Sequence, residues 1–167
     1  MWKSAPTDWR SRVVQDETQA QCTATANAPP GDLFDAIVAR EKAAVVFPAD
    51  GIVMGDWKKG AVLAQRGTGG QFTDSATTAR GGNCYACHAM SKAEVSYGTL
   101  GPALTLYGRE RGFAADAARN TYAKIYNAMS VQACSQMPRF GQHKFLTPDE
   151  IKDLVAYLFD PASPVNK

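Results

Sequence analysis

The most regular run of apolar positions lies near the C-terminus, where Ile151, Leu154, Val155 and Leu158 recur at helical spacing. Thr147 and Glu150 form a capping box ahead of it, Pro148 takes the first helical position, and Asp160 followed by Pro161 ends it. A second stripe, Tyr122, Ile125, Tyr126 and Met129, predicts a helix over 121–129. A third, Trp57, Gly60, Ala61 and Ala64, predicts a helix over 56–66, opened by Asp56 and stopped at Gly67. Gly60 weakens that helix but lets a second helix approach closely. Leu33, Phe34, Ile37 and Val38 give one face to a shorter helix, with Asp32 as its expected N-cap. Pro and Gly break the pattern at 28–31 and again at 48–51. Residues 68–83, rich in Gly, Ser and Thr, read as a long loop. No alternating pattern is strong enough for a sheet. The expectation is an all-α protein, with an extension over residues 1–53 and one domain over 54–167. The extension is expected to pack on that domain or on a partner.

Composition narrows the class. Of 167 residues, 45% are hydrophobic and 20% charged, which suits a globular chain. A net charge of +2 with no basic run argues against nucleic acid or an anionic membrane surface as partner. The longest apolar runs are too short to span a bilayer. The first residues lack the apolar middle of a signal peptide, so the expectation is a mature chain whose leader has been removed.

The chemistry sits at Cys84, Tyr85, Ala86, Cys87 and His88, a C-x-x-C-H run. Two thiols three positions apart can add to the two vinyl groups of one porphyrin. The histidine that follows can then place an imidazole nitrogen on the iron. A structural zinc site needs four ligands, and beyond the motif only Cys22, Cys134 and His143 are on offer, all widely separated. A thioredoxin-like dithiol needs a βαβ setting that the pattern lacks. One covalent haem c is therefore expected, and with it export to the periplasm. Pro102, in a Gly-Pro-Ala-Leu run, keeps a free carbonyl that can take the second imidazole proton of His88.

The opposite axial position decides what the iron can do. Met54, Met90, Met129, Met137, His143 and Cys134 are the candidates. Met90 is expected on the same helix as His88 and so on the wrong face. Met54 and Met129 read as packing. Met137 is preferred because Pro138 holds it extended in a loop that can carry a thioether over the haem. His143 and a Cys134 thiolate remain alternatives. Arg139 reads as a partner for a haem propionate or for a carboxylate of a docking protein, or as a solvated side chain. In an oxidising compartment Cys22 and Cys134 are expected to pair as a disulfide rather than stay as free thiols.

Taken in order, the Gly60 helix, the C-x-x-C-H run, the Gly101-Pro102-Ala103-Leu104 run, Met137-Pro138 and the last helix resemble the class I c-type cytochromes. In that family the first and last helices cross at a glycine and an aromatic, here Gly60 and Tyr157. Within it, the runs 82–90, 122–127, 134–141 and 151–158 are similar to the SoxX family. The resemblance implies the smaller subunit of a SoxA heterodimer, with His88 and Met137 on the iron. It implies a complex that couples thiosulfate oxidatively to a cysteine of the SoxYZ carrier. It implies no catalytic side chain in this subunit, which accepts electrons from SoxA and passes them to a downstream cytochrome. The rival expectations are a free-standing periplasmic carrier and a haem enzyme or sensor with an open iron.

Overall fold

The computed structural model describes residues 14–71, 73–75 and 77–167. Its helices are α1 (Glu17–Ala24), α2 (Gly31–Ala43), α3 (Trp57–Gln65), α4 (Tyr107–Glu110), α5 (Ala115–Tyr126) and α6 (Pro148–Phe159). Single 3-10 turns occur at Cys84–Ala86, Ala128–Ser130 and Pro164–Asn166. No strand occurs among the described residues.

The crossing of α3 with α6 is the centre of the domain. Asp56 caps α3 by accepting from the Lys58 amide at 2.8 Å. Gly60 lies so close to α6 that a Cβ would come 2.0 Å from the Asp153 carbonyl oxygen and 2.8 Å from Tyr157 Cβ. Asp153 also accepts from the Asp56 amide at 2.7 Å, and the Gly55 amide donates to the Lys152 carbonyl at 3.0 Å. The last helix therefore fixes where the first helix of the domain begins. Thr147 and Glu150 complete the capping box of α6, with Pro148 at its start. Ile151, Leu154, Val155, Tyr157, Leu158 and Phe159 are all buried, so the second half of α6 is enclosed on every side.

Asn166 ties the chain end to this core. Its amide nitrogen donates to the Leu158 and Asp160 carbonyls at 3.0 Å. Its oxygen accepts from the amides of Gly108 at 3.0 Å and Arg109 at 3.1 Å. One side chain thus closes the end of α6 and the start of α4. Asn166→Ala strands these buried groups and is expected to cost about 1–3 kcal/mol. A thermal melt should show a Tm lower by about 2–4 °C for each kcal/mol lost.

Several sequence expectations are corrected here. The helix expected over 121–129 begins earlier, at Ala115, and ends at Tyr126, with Met129 in the 3-10 turn beyond it. Asp32 is not the N-cap of α2; Pro30 is, without a side-chain cap, and Asp32 sits in the first turn. Gly67 does not stop α3, which ends at Gln65 with Arg66 as an extended C-cap. Met54 is exposed rather than packed. Helix α1 was not expected: it is short and weakly amphipathic, and is held instead by a capping box between Asp16 and Gln19.

Helices α1 and α2 pack against residues 127–139. Cys22 and Cys134 are disulfide-bonded, with Cα atoms 5.4 Å apart. Together with Ile37 and Ala133 they form a small second core, flanked by Leu33, Phe34 and Val38.

Candidate haem-attachment site

The C-x-x-C-H run starts where α3 ends. The Gly82 amide donates to the Leu63 carbonyl at 2.8 Å and the Asn83 amide to the Arg66 carbonyl at 3.1 Å. The long loop therefore leaves and rejoins the domain at nearly one point. Asn83 then takes a left-handed φ of 46° and the chain turns through Cys84–Ala86. Within the motif Tyr85 is buried and shares a 2.7 Å hydrogen bond with Tyr157 of α6. Its hydroxyl also accepts from the Ser91 amide at 3.1 Å. Burial, followed by the Tyr85 bond, raises the Tyr157 phenol above its ordinary pKa, so it stays protonated. The middle of the motif is thereby fastened to the central helix.

No α-helix follows His88, so Met90 does not share a helix with it. The chain pairs instead with the segment 98–104. Amides of Gly98, Gly101 and Leu104 donate to the carbonyls of Tyr85, Cys87 and Ala89 at 2.8, 2.8 and 2.7 Å. Met90 is buried in the main core. Gly98 and Gly101 allow this pairing. A Cβ on Gly98 would fall 1.9 Å from the Ala86 carbonyl oxygen, and one on Gly101 would fall 2.2 Å from His88 Cε1. Sequence reading missed both constraints, although the Gly-x-x-Gly spacing is visible there.

The result is a fixed imidazole. His88 Nδ1 lies 2.7 Å from the Pro102 carbonyl oxygen. A carbonyl only accepts, so Nδ1 carries a proton here and Nε2 is the nitrogen left to face an iron. Cys84 and Cys87 are free and half-buried. Burial pushes the Cys84 thiol up to about 12, so this environment favours an uncharged sulfur.

Met137 is half-buried and packs at the rim of the same core as Cys84 and Leu104. A cleft beside it is lined by Pro138, Arg139, Phe140, His143 and Phe145. Arg139 is not solvated. It is 5% exposed, and its Nη2 donates to Glu41 Oε2 at 2.8 Å. Its other nitrogens donate to Asp16 and Asn127. Burial raises the Asp16 pKa, but hydrogen bonds from Arg139 and the Gln19 amide outweigh it and leave the carboxyl below its usual value. Sequence reading missed Glu41 and Asp16 altogether. The available signal was Glu41 continuing the apolar stripe of Phe34, Ile37 and Val38.

Residues 67–160 match the family described as Cytochrome c. The chain belongs to the cytochrome c family. A protein of Aquifex aeolicus (strain VF5) named "Uncharacterized lipoprotein" is 40% identical over 164 residues, covering 95% of this cytochrome and 76% of that relative. The shared sequence therefore includes most of residues 1–53. Family membership brings covalent haem c and a role in electron transfer.

The residues of this cytochrome fit that group. Two thiols suited to thioether formation stand beside an imidazole whose Nε2 is available, and Gly101 leaves room for the ring. A methionine sulfur and aromatic side chains lie at the rim of the same core. Among the described residues no three or more His, Cys, Asp or Glu side chains are grouped so as to hold a metal ion. Nor is any described helix long and apolar enough to cross a membrane.

Proposed function

We propose that this cytochrome is the electron-accepting, SoxX-type subunit of a SoxA heterodimer, with haem c joined to Cys84 and Cys87 and its iron held by His88 and Met137. The ligand set is supported by the 2.7 Å bond from His88 Nδ1 to Pro102, which presets one strong ligand, and by a Met137 packed against the main core, while the SoxX-type reading rests on the resemblance of the runs 82–90, 122–127, 134–141 and 151–158. When bound, the haem supplies a one-electron iron couple. The chain's own residues hold the group, orient the imidazole and contribute an uncharged sulfur. A thioether favours the ferrous state more than a thiolate does, which suits an acceptor. Cys134 is bonded to Cys22, which supports Met137 over a Cys134 thiolate.

In this reading residues 1–53 are an extension of the domain at 54–167. The subunit accepts electrons released when SoxA joins thiosulfate to a cysteine of SoxYZ, and passes them to a downstream cytochrome. Haem c, the disulfide and the name of the Aquifex relative support a periplasmic or otherwise extracytoplasmic place.

Spectroscopy tests the ligand set. Oxidised protein should show the far-red thioether-to-ferric charge-transfer band, and Met137→Ala should lose it while keeping histidine ligation. Persistence of the band in Met137→Ala refutes that assignment. Co-expression with SoxA tests the partner: a stable co-eluting pair is expected. A cytochrome that elutes alone and still exchanges electrons rapidly would identify a free-standing carrier.

A further inference from the structure

Arg139 and Cys134 bracket the Met137 turn, and both are held by the extension. Cys134 is bonded to Cys22 of α1. Arg139 donates to Glu41 in the last turn of α2, to Asp16 at the cap of α1, and to Asn127 at the end of α5. Glu41 is as deeply buried as Arg139, at 5% exposed. Its two oxygens also accept from the Thr18 hydroxyl and from Asn127 Nδ2. The buried pair is therefore fully hydrogen-bonded, and no described buried side-chain polar atom lacks a partner.

The turn between these pins has little support of its own. The Met137 amide donates to Ser135 Oγ at a long 3.4 Å, and Pro138 has no amide hydrogen. Cys134 is held at a left-handed φ of 57°. Pro138 also stiffens the link from Met137 to Arg139, so the place of the guanidinium bears directly on the place of the sulfur. A buried ion pair adds little net stability against an apolar replacement, and its best-attested use is to select one arrangement.

We infer that the extension is a two-point clamp in which Glu41 and Asp16, acting through Arg139, are positioning residues for Met137. The clamp sets how readily an outside ligand displaces the thioether from the iron. This inference rests on the proposed Met137 ligation.

The test uses the full haem-loaded chain in the ferric state, mixed rapidly with imidazole. Glu41→Gln keeps the shape of the side chain but removes its charge. It is expected to bind imidazole about tenfold faster than the parent, since breaking a buried pair is strongly disruptive. Asp16→Asn, at the exposed end of the network, is expected to give about a threefold rise, in keeping with a weaker exposed pair. It carries the test if Glu41→Gln does not fold. Asn166→Ala, which loosens the junction of α4 with α6 and shares no hydrogen bond with the Arg139 network, serves as control and should leave the rate unchanged. Parent rates in the folded clamp variants overturn the clamp, as does an Asn166→Ala rate raised as much as theirs. Met137→Ala separates the two ideas. If it keeps the far-red band, the ligand assignment fails. If it loses the band while the folded clamp variants bind at the parent rate, only the clamp fails.

Discussion

Gly60→Ala is expected to lower the stability of the haem-loaded protein by about 2–3 kcal/mol, and Gly60→Val by more. Two effects oppose each other here. Alanine in place of a mid-helix glycine gains up to about 1 kcal/mol of helix propensity. Against that stands a Cβ placed 2.0 Å from the Asp153 carbonyl oxygen and 2.6 Å from its carbon. Those are backbone atoms of α6, in a turn that also holds the start of α3 through Gly55 and Asp56. They cannot swing aside as a side chain would, so the clash wins. The Tm should fall by about 2–4 °C per kcal/mol, and a denaturant titration should show a lower midpoint with an unchanged slope. A Gly60→Ala protein as stable as its parent would mean that the helices do not cross here.

The second large effect is expected from the disulfide. Cys22→Ala with Cys134→Ala opens a loop with a sequence separation of 112. Chain-entropy arguments put such a bond at about 4–5 kcal/mol, with measured values spread over roughly 2–5. The pair also contributes half of the small second core with Ile37 and Ala133, so apolar contact is lost as well. Unfolding in denaturant should show a much earlier midpoint. If the clamp operates, the folded variant should also bind imidazole faster. Loss of stability without that second change would leave the bond a fastener of the extension alone.

Much of the fold was legible because its signals are local. The capping box at Thr147 and Glu150, the proline at 148 and the stripe of α6 all lie within a dozen residues, and the helix appears as Pro148–Phe159. Gly60 signalled a close helix crossing, and the crossing is there. The C-x-x-C-H run is equally local, and the family it belongs to follows from it. What stayed hidden depends on distant pairs. Arg139 meets Glu41 and Asp16 across separations of 98 and 123 residues, and nothing near position 139 announces a burial. Met90 was misplaced for a related reason. Hydrogen bonds from Gly101 and Leu104 engage the chain around His88, where a helix was expected to continue. Helix α1 escaped notice because its apolar pattern is weak, and a local cap together with distant partners of Thr18 and Cys22 holds it.

The covalent ring closed by residues 22 and 134 has a bearing on biogenesis. Both thiols of the C-x-x-C-H run lie inside that ring in chain order. These 167 residues carry four cysteines, which admit three complete pairings. Only one of those complete pairings joins Cys22 to Cys134, and it is the one that also couples Cys84 to Cys87. If haem joins Cys84 and Cys87 as proposed, those two thiols must still be reduced when it arrives, so the outer bond has to form without the inner one.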